Sequence, residues 1–318
     1  MAGYDALTGV AIIKLGSGVG TLGSTINPFA TVIASNAANV PFTDGIILRI
    51  VMLILCWLVC VFYVMRYAEK VRKNPEYSIV ADRRESNEQH FLKSRDLDSE
   101  GAGQPIEFTV ARKLILIIFA ASFAVMIWGV SAGGWWMAEM SALFIAASIV
   151  IGLVSRMSEE DFTSTFVDGA RDLLGVALVI GIARGIVVVM DAGKMTDTIL
   201  FWAEGAVDGL PAVGFINAMF GLELILSFLV PSSSGLAVLT MPIMAPLADF
   251  VDVPRHLVVT AYQSANGLVN LINPTFAVVM GGLALGRVPY NRWLRFMLPL
   301  LLILVVIIVA LNSITASL

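Results

Sequence analysis

The chain has 318 residues, 58% of them hydrophobic and only 14% charged, with a mean hydropathy of +0.86. These values exclude a water-soluble globular domain and place the protein in a bilayer. The net charge of -4 says little, because most of the charge sits in one polar stretch and orientation depends on local Lys/Arg asymmetry; no nucleic-acid partner is expected.

The first element, about Gly9 to Ala37, is apolar but interrupted at Ile26-Asn27-Pro28, with Gly16, Gly18, Gly20, Gly23, Ser24 and Thr25 just before. A proline removes a backbone N–H and clashes with the preceding turn, so this segment reads as a broken helix. Ile46 to Met65 follows as a nearly uninterrupted apolar run of about the 20 residues needed to cross hydrocarbon. Cys56 and Cys60, four apart on one face of it, read as packing material rather than metal or redox ligands. Residues 66–113 are a polar loop rich in Lys and Arg beside both flanking spans, which the positive-inside rule assigns to the cytoplasm. Its stretch Ser99 to Pro105 lacks apolar periodicity and reads as a solvated linker.

Leu114 to Val130 and Trp136 to Val154 form a two-span hairpin, with Trp135 and Trp136 at the height of an interfacial aromatic belt. Arg156 to Asp161 returns the chain to the cytoplasm, Leu173 to Met190 crosses outward, and Met195 to Leu210 suits an interfacial amphipathic helix. Phe215 to Leu229 and Leu236 to Leu247 are each short of a full crossing and flank Pro231-Ser232-Ser233-Ser234-Gly235, so they predict a re-entrant hairpin over 212–249. A second broken helix over 256–286 carries Ile272-Asn273-Pro274, followed by a final span from about Leu294 to Leu311 that leaves the carboxyl terminus outside.

A shift of 246 positions superposes the two Ile-Asn-Pro tripeptides and also Arg49 on Arg295. Counted through the loops, the two broken segments cross in opposite directions, the signature of an inverted-topology repeat with its site at the breaks. The domains predicted are therefore 1–65 as the end of a first repeat, the loop 66–113, and a second repeat over 114–318. The first repeat lacks a hairpin counterpart, so the chain reads as the carboxyl-terminal two-thirds of a longer transporter. The fold class expected is an all-α polytopic membrane protein with broken helices and a re-entrant hairpin.

The run Pro231 to Asp249, together with Asn27-Pro28-Phe29-Ala30, Arg66-Tyr67-Ala68 and Asp168 to Ala177, resembles the YfcC-like members of the C4-dicarboxylate anaerobic carrier family, a group labelled as basic amino acid antiporters. The resemblance implies the ion transporter superfamily: inverted repeats, a homodimer and an elevator-like movement in a bacterial inner membrane. It also implies that substrate and coupling ion bind at Ser232 to Gly235, at Ser24 to Pro28 and at Asn270 to Thr275.

The candidate site residues are thus Ser24, Thr25, Asn27, Pro28, Ser232, Ser233, Ser234, Gly235, Asn270, Asn273, Pro274 and Thr275. Hydroxyls, amides and half-helix ends suit a carboxylate or Na⁺. Glu139, Arg184 and Glu223 are intramembrane ionisable residues and become coupling or gating candidates. No cofactor is expected beyond a Na⁺ or H⁺ coupling ion, and no resident metal. The function read from this is a secondary carrier, symporter or antiporter, for a small anionic or zwitterionic metabolite, either a C4-dicarboxylate or an amino acid. A passive channel and a non-transporting fragment are the alternatives. An enzyme is disfavoured because no Gly-x-Ser-x-Gly elbow or His-Glu-x-x-His helix accompanies the serines. Asn273→Ala is expected to abolish uptake while leaving the protein folded.

Overall fold

The computed structural model describes residues 3–97, 109–133, 135, 137–195, 198, 201–202, 205 and 209–318. All regular elements among them are helical, with no strand. Four described helices are long and apolar enough to cross a membrane: Ile46–Lys73, Ala138–Ser155, Ala212–Leu229 and Tyr290–Ala316. The chain divides into two compact units, one of Met1–Gln89 with Leu173–Leu318 and one of His90–Asp172.

In the larger unit, α1 (Ala6–Leu22) begins at Asp5, whose carboxylate accepts from the Thr8 N–H at 2.8 Å, an N-cap that satisfies one orphan donor. The chain then breaks through Gly23 to Asn27, continues as a π-helical turn over Pro28–Val32 and closes in the short α2 (Ile33–Ala37). Gly45, with φ of +72°, introduces α3 (Ile46–Lys73); a side chain there is both conformationally disfavoured and blocked by the His256 ring, 2.8 Å from where its Cβ would stand. Beyond α3, α4 (Arg84–Leu97) is a helix inside the stretch expected to be loop, supported by an Arg84–Glu88 pair one turn apart. The expected linker at Ser99 to Pro105 lies outside the described residues.

In the smaller unit, α5 (Val110–Ala132) and α6 (Met137–Ser155) pack on each other as expected, and Trp135 stacks edge-on against Trp128. The chain turns at Arg156, with a positive φ of 55°, and α7 (Glu159–Ala192) then runs unbroken for 34 residues, ~51 Å at 1.5 Å per residue, its residues from Leu173 onward belonging to the larger unit. The interfacial helix expected over Met195 to Leu210 falls largely outside the described residues.

The remaining helices of the larger unit are α8 (Ala212–Leu229), α9 (Ser233–Asp249), α10 (Arg255–Val269), α11 (Ala277–Leu285) and α12 (Tyr290–Ala316). The hairpin arms α8 and α9 have 18 and 17 residues, longer than expected because α8 starts at Ala212 rather than Phe215 and α9 runs from Ser233 to Asp249 rather than from Leu236 to Leu247. The first arm is long and apolar enough to cross a membrane, which the sequence reading denied it.

The hub is α10, every residue of which from Leu257 to Val269 is buried. It packs against α1, α8, α9 and α12, and a helix surrounded on all sides cannot be amphipathic in the usual sense. Its entry is clamped by Arg255, which donates to both Asp249 oxygens (2.6–3.1 Å) and to the Ala38 carbonyl (3.0 Å), so the ends of α9 and α2 meet at its first turn. Those hydrogen bonds from Arg255 hold the Asp249 carboxyl below the ordinary aspartate range.

Candidate substrate and ion site

Along α1, a Cβ on Gly18 would meet Leu271, and Leu22 lies where a Cβ on Gly267 would be, while Gly286 and Gly282 abut Val10 and Lys14. Partner numbers fall as α1 numbers rise, so the two broken segments run antiparallel. Of these four contacts only one is to backbone: a Cβ on Gly267 would stand 2.3 Å from the Leu22 Cα. Only glycine permits that crossing.

At the second break, α10 ends at Asn270 and α11 starts after Phe276. The carbonyls freed by the break are taken by α12, the Trp293 indole N–H donating to Leu271 O (2.9 Å) and the Tyr290 hydroxyl to Ile272 O (2.7 Å). Asn273, fully buried, works in two directions. Its Nδ2 donates to Ser227 O (3.3 Å) and Phe228 O (3.2 Å) in the last turn of α8, and its Oδ1 accepts from the Thr275 N–H (3.0 Å) and hydroxyl (2.8 Å). Asn270 donates to Asn266 Oδ1 at 3.0 Å, and Asn266 reaches the Ser227 hydroxyl at 3.4 Å. The Asn270 Oδ1 is buried with no hydrogen-bond partner.

At the first break, the Ser24 hydroxyl accepts from the Asn27 N–H (3.1 Å), and the Asn27 carbonyl accepts from Val32 N–H (3.1 Å), the i to i+5 bond of the π turn. Gln263 of α10 spans the gap. Its Nε2 donates to the Thr21 carbonyl at the end of α1, and the Thr31 hydroxyl lies 3.0 Å from its Oε1 and 3.2 Å from the Ser24 carbonyl.

The hairpin tip completes the cluster. Ser232 caps α9 by accepting from the Gly235 N–H at 3.2 Å, and the Tyr262 hydroxyl of α10 donates to the Ser233 carbonyl. Ser232, Ser233, Ser234 and Gly235 are all at least partly accessible. Glu223, one side of α8, is fully buried, and neither carboxylate oxygen has a hydrogen-bond partner. Thr240 of α9 and Tyr262 stand against it, the Thr240 hydroxyl being given to Leu236 O at 3.0 Å.

The structure therefore brings Ser24, Asn27, Ser232, Ser233, Asn270, Asn273, Thr275 and Glu223 into elements that touch α10 directly. Thr25 and Pro274 lie in the two breaks, half-buried, and Pro28 opens the π turn with its side chain outside the described residues. Glu139 is exposed in the first turn of α6 in the smaller unit, and the Arg184 side chain lies outside the described residues. Sequence reasoning missed Gln263, Ser227 and Tyr262. The signal was there, since Thr260, Gln263, Ser264 and Asn266 are polar residues in an apolar span, and such residues rarely sit in a bilayer without a partner. It also missed Lys14, 4% exposed on α1, whose stem lies over Gly282 and which has no ion pair among the described residues.

Comparison with known proteins gives one family model, described as C4-dicarboxylate anaerobic carrier (DcuC), matching residues 1–316. A Haemophilus influenzae protein of uncharacterized function is 43% identical over 299 residues, 94% of this chain and 58% of its own length. An Escherichia coli protein named "Putative basic amino acid antiporter YfcC" is 33% identical over 304 residues, 92% of this chain and 58% of its own length. The chain thus spans 58% of the length of both curated relatives. No solved structure matches.

Proposed function

We propose, from the premise that the chain belongs to the C4-dicarboxylate anaerobic carrier family, that this multi-pass membrane protein forms the binding half of a secondary carrier for a small carboxylate-bearing metabolite. The observation that carries the reading is convergence on one buried helix, α10: its Gln263 bonds the Thr21 carbonyl before the first break, its Tyr262 bonds the Ser233 carbonyl at the Ser-rich hairpin tip, and its own end is the second break. The proposed site lies at those breaks, with hydroxyls and backbone groups for a carboxylate or Na⁺ and the amino ends of α9 and α11 favouring negative charge.

The inverted repeat belongs to the same proposal. Its support is that the 246-residue shift carries Thr21 onto Gly267, and Leu22 and Gly267 are in fact the crossing point, so a two-fold axis would pass there. The proposed membrane is the bacterial cytoplasmic one, with residues 66–113 inside, the carboxyl terminus outside, and a re-entrant tip at 230–235. A homodimer moving elevator-fashion is the assembly proposed by the family resemblance.

Substrate class divides on two buried charges. Lys14 favours a dianion, and Glu223 favours a cationic amino acid or a proton as coupling ion. In proteoliposomes, Glu223→Gln is expected to cut concentrative uptake at least roughly tenfold while counterflow exchange continues, because the amide keeps the shape but carries no exchangeable charge. Concentrative uptake at the parent rate in that variant refutes the coupling role. A panel of C4-dicarboxylates and basic amino acids identifies the class. Uptake that fails to saturate would indicate a channel, and uptake by the longer Haemophilus relative but not by this chain would indicate a fragment inactive by itself.

A further inference from the structure

Away from the breaks, where α3 ends and α12 begins, a cavity of about 620 Å³ is lined by Arg66, Lys70, Arg292 and Arg295 together with Tyr63, Tyr77 and one carboxylate, Glu76. We propose that this cavity binds a phosphate-bearing anion, either the headgroup of an anionic phospholipid or soluble phosphate. Four cations face one acid. Among the described residues neither Arg66 nor Arg295 has a carboxylate within salt-bridge distance. Lys70 is held over the Tyr77 ring, 4.9 Å from its centroid, and donates to the Tyr77 hydroxyl at 3.1 Å. Arg292 donates to the Ile79 carbonyl at 3.0 Å and reaches Asp82 only at 3.5 Å.

The wall opposite the arginines is built rather than loose. Asp5 Oδ2 accepts from both the Tyr67 and Ser78 hydroxyls, and the Ile79 N–H donates to the Tyr67 hydroxyl at 3.1 Å. Residues 75–79 are thereby fixed across the end of α3, and the Arg292 bond to Ile79 ties them to α12. Charge for membrane topology alone requires no such concave cluster. Guanidinium forks match the tetrahedral oxygens of phosphate, and basic pockets between spans at the inner surface are where anionic headgroups are held. Arg66 closes the apolar run of α3, and Tyr63 and Tyr77 are amphipathic rings suited to the interface, so the opening stands at headgroup level.

The test is thermal unfolding of the purified full chain in uncharged detergent, titrated with short-chain phosphatidylglycerol, short-chain phosphatidylcholine, inorganic phosphate or sodium chloride of matched ionic strength. Phosphatidylglycerol is expected to raise the midpoint where phosphatidylcholine and chloride do not. An equal rise with inorganic phosphate assigns the site to soluble phosphate, and no rise with phosphate assigns it to lipid. The Arg66→Gln/Arg295→Gln variant, which alters exposed side chains, is expected to weaken the response roughly five-fold per arginine, while Arg171→Gln, in the smaller unit, leaves it unchanged. A response that survives intact in the double variant, or the absence of any response to either phosphate source, overturns the proposal.

Discussion

Gly267→Val is expected to destabilise the protein by ~3 kcal/mol, at the upper end of the cost of overpacking a core. The first added carbon would stand 2.3 Å from the Leu22 Cα and 2.5 Å from its N, and backbone, unlike a side-chain tip, cannot rotate away. The helices must then separate, which also pulls Gln263 from the Thr21 carbonyl four residues earlier on α10. Gly20→Ala is the matched control on α1. Nothing lies within 4 Å of its added carbon, so replacing a flexible residue within a helix is expected to be neutral or to stabilise by up to ~1 kcal/mol. Thermal unfolding of both variants in detergent separates the cases: a Gly267→Val midpoint equal to that of Gly20→Ala would mean the crossing is not where it is described.

Asn273→Ala carries the second large effect, and the hydrogen bonds it removes add a stability cost to the expected loss of uptake. The sequence reading took this side chain as a substrate ligand whose loss would leave the fold intact. In the structure it is buried and committed to the Ser227 and Phe228 carbonyls and to Thr275, so its removal leaves buried groups unpaired at the end of α8 and the start of α11. Each such orphan costs ~1–3 kcal/mol, which puts the whole effect at ~2–4 kcal/mol after local relaxation. Transport is expected to fall as well, since the hairpin tip loses its strut. Asn273→Asp sharpens the test: it keeps the acceptor for Thr275 but sets a buried carboxylate oxygen against the Ser227 and Phe228 carbonyls, so its midpoint at neutral pH is expected no higher than that of the alanine variant. An alanine variant as stable as the parent would return Asn273 to a purely ligand-binding role.

The tripeptides Ile26-Asn27-Pro28 and Ile272-Asn273-Pro274 were legible because a proline beside asparagine and small hydrogen-bonding residues favours a helix break, and both breaks are present. Their forms were not legible. The first resolves into a π turn after a five-residue gap and the second into an Asx-type turn, because the partners that absorb the freed groups come from far along the chain. Gln263 meets Thr21 across 242 residues, and no local pattern encodes that. Helix ends at the hairpin were misjudged by a few residues: α9 starts three residues before the apolar run from Leu236, because the Ser232 hydroxyl caps it ahead of that run. Similarly, the polar composition of α4 concealed a helix, whose first turns carry the Arg84–Glu88 pair. Glu223 and the small residues of the breaks were found by type alone, since a charged or glycine-rich site in an apolar span is costly without a purpose.

The central claim is that the two broken segments cross antiparallel at their glycines, so that both interruptions flank one buried helix. In a background with Cys56 and Cys60 replaced by alanine, Gly18→Cys paired with Leu271→Cys tests it in native membranes under mild oxidation, with Gly20→Cys paired with Leu271→Cys as control. A Cβ at position 18 lies 3.4 Å from the Leu271 Cγ, within reach of a disulfide after modest adjustment, whereas position 20 has nothing within 4 Å. An intramolecular cross-link in the first pair and none in the second is the predicted result; equal cross-linking of both pairs, or none in the first, would contradict the account.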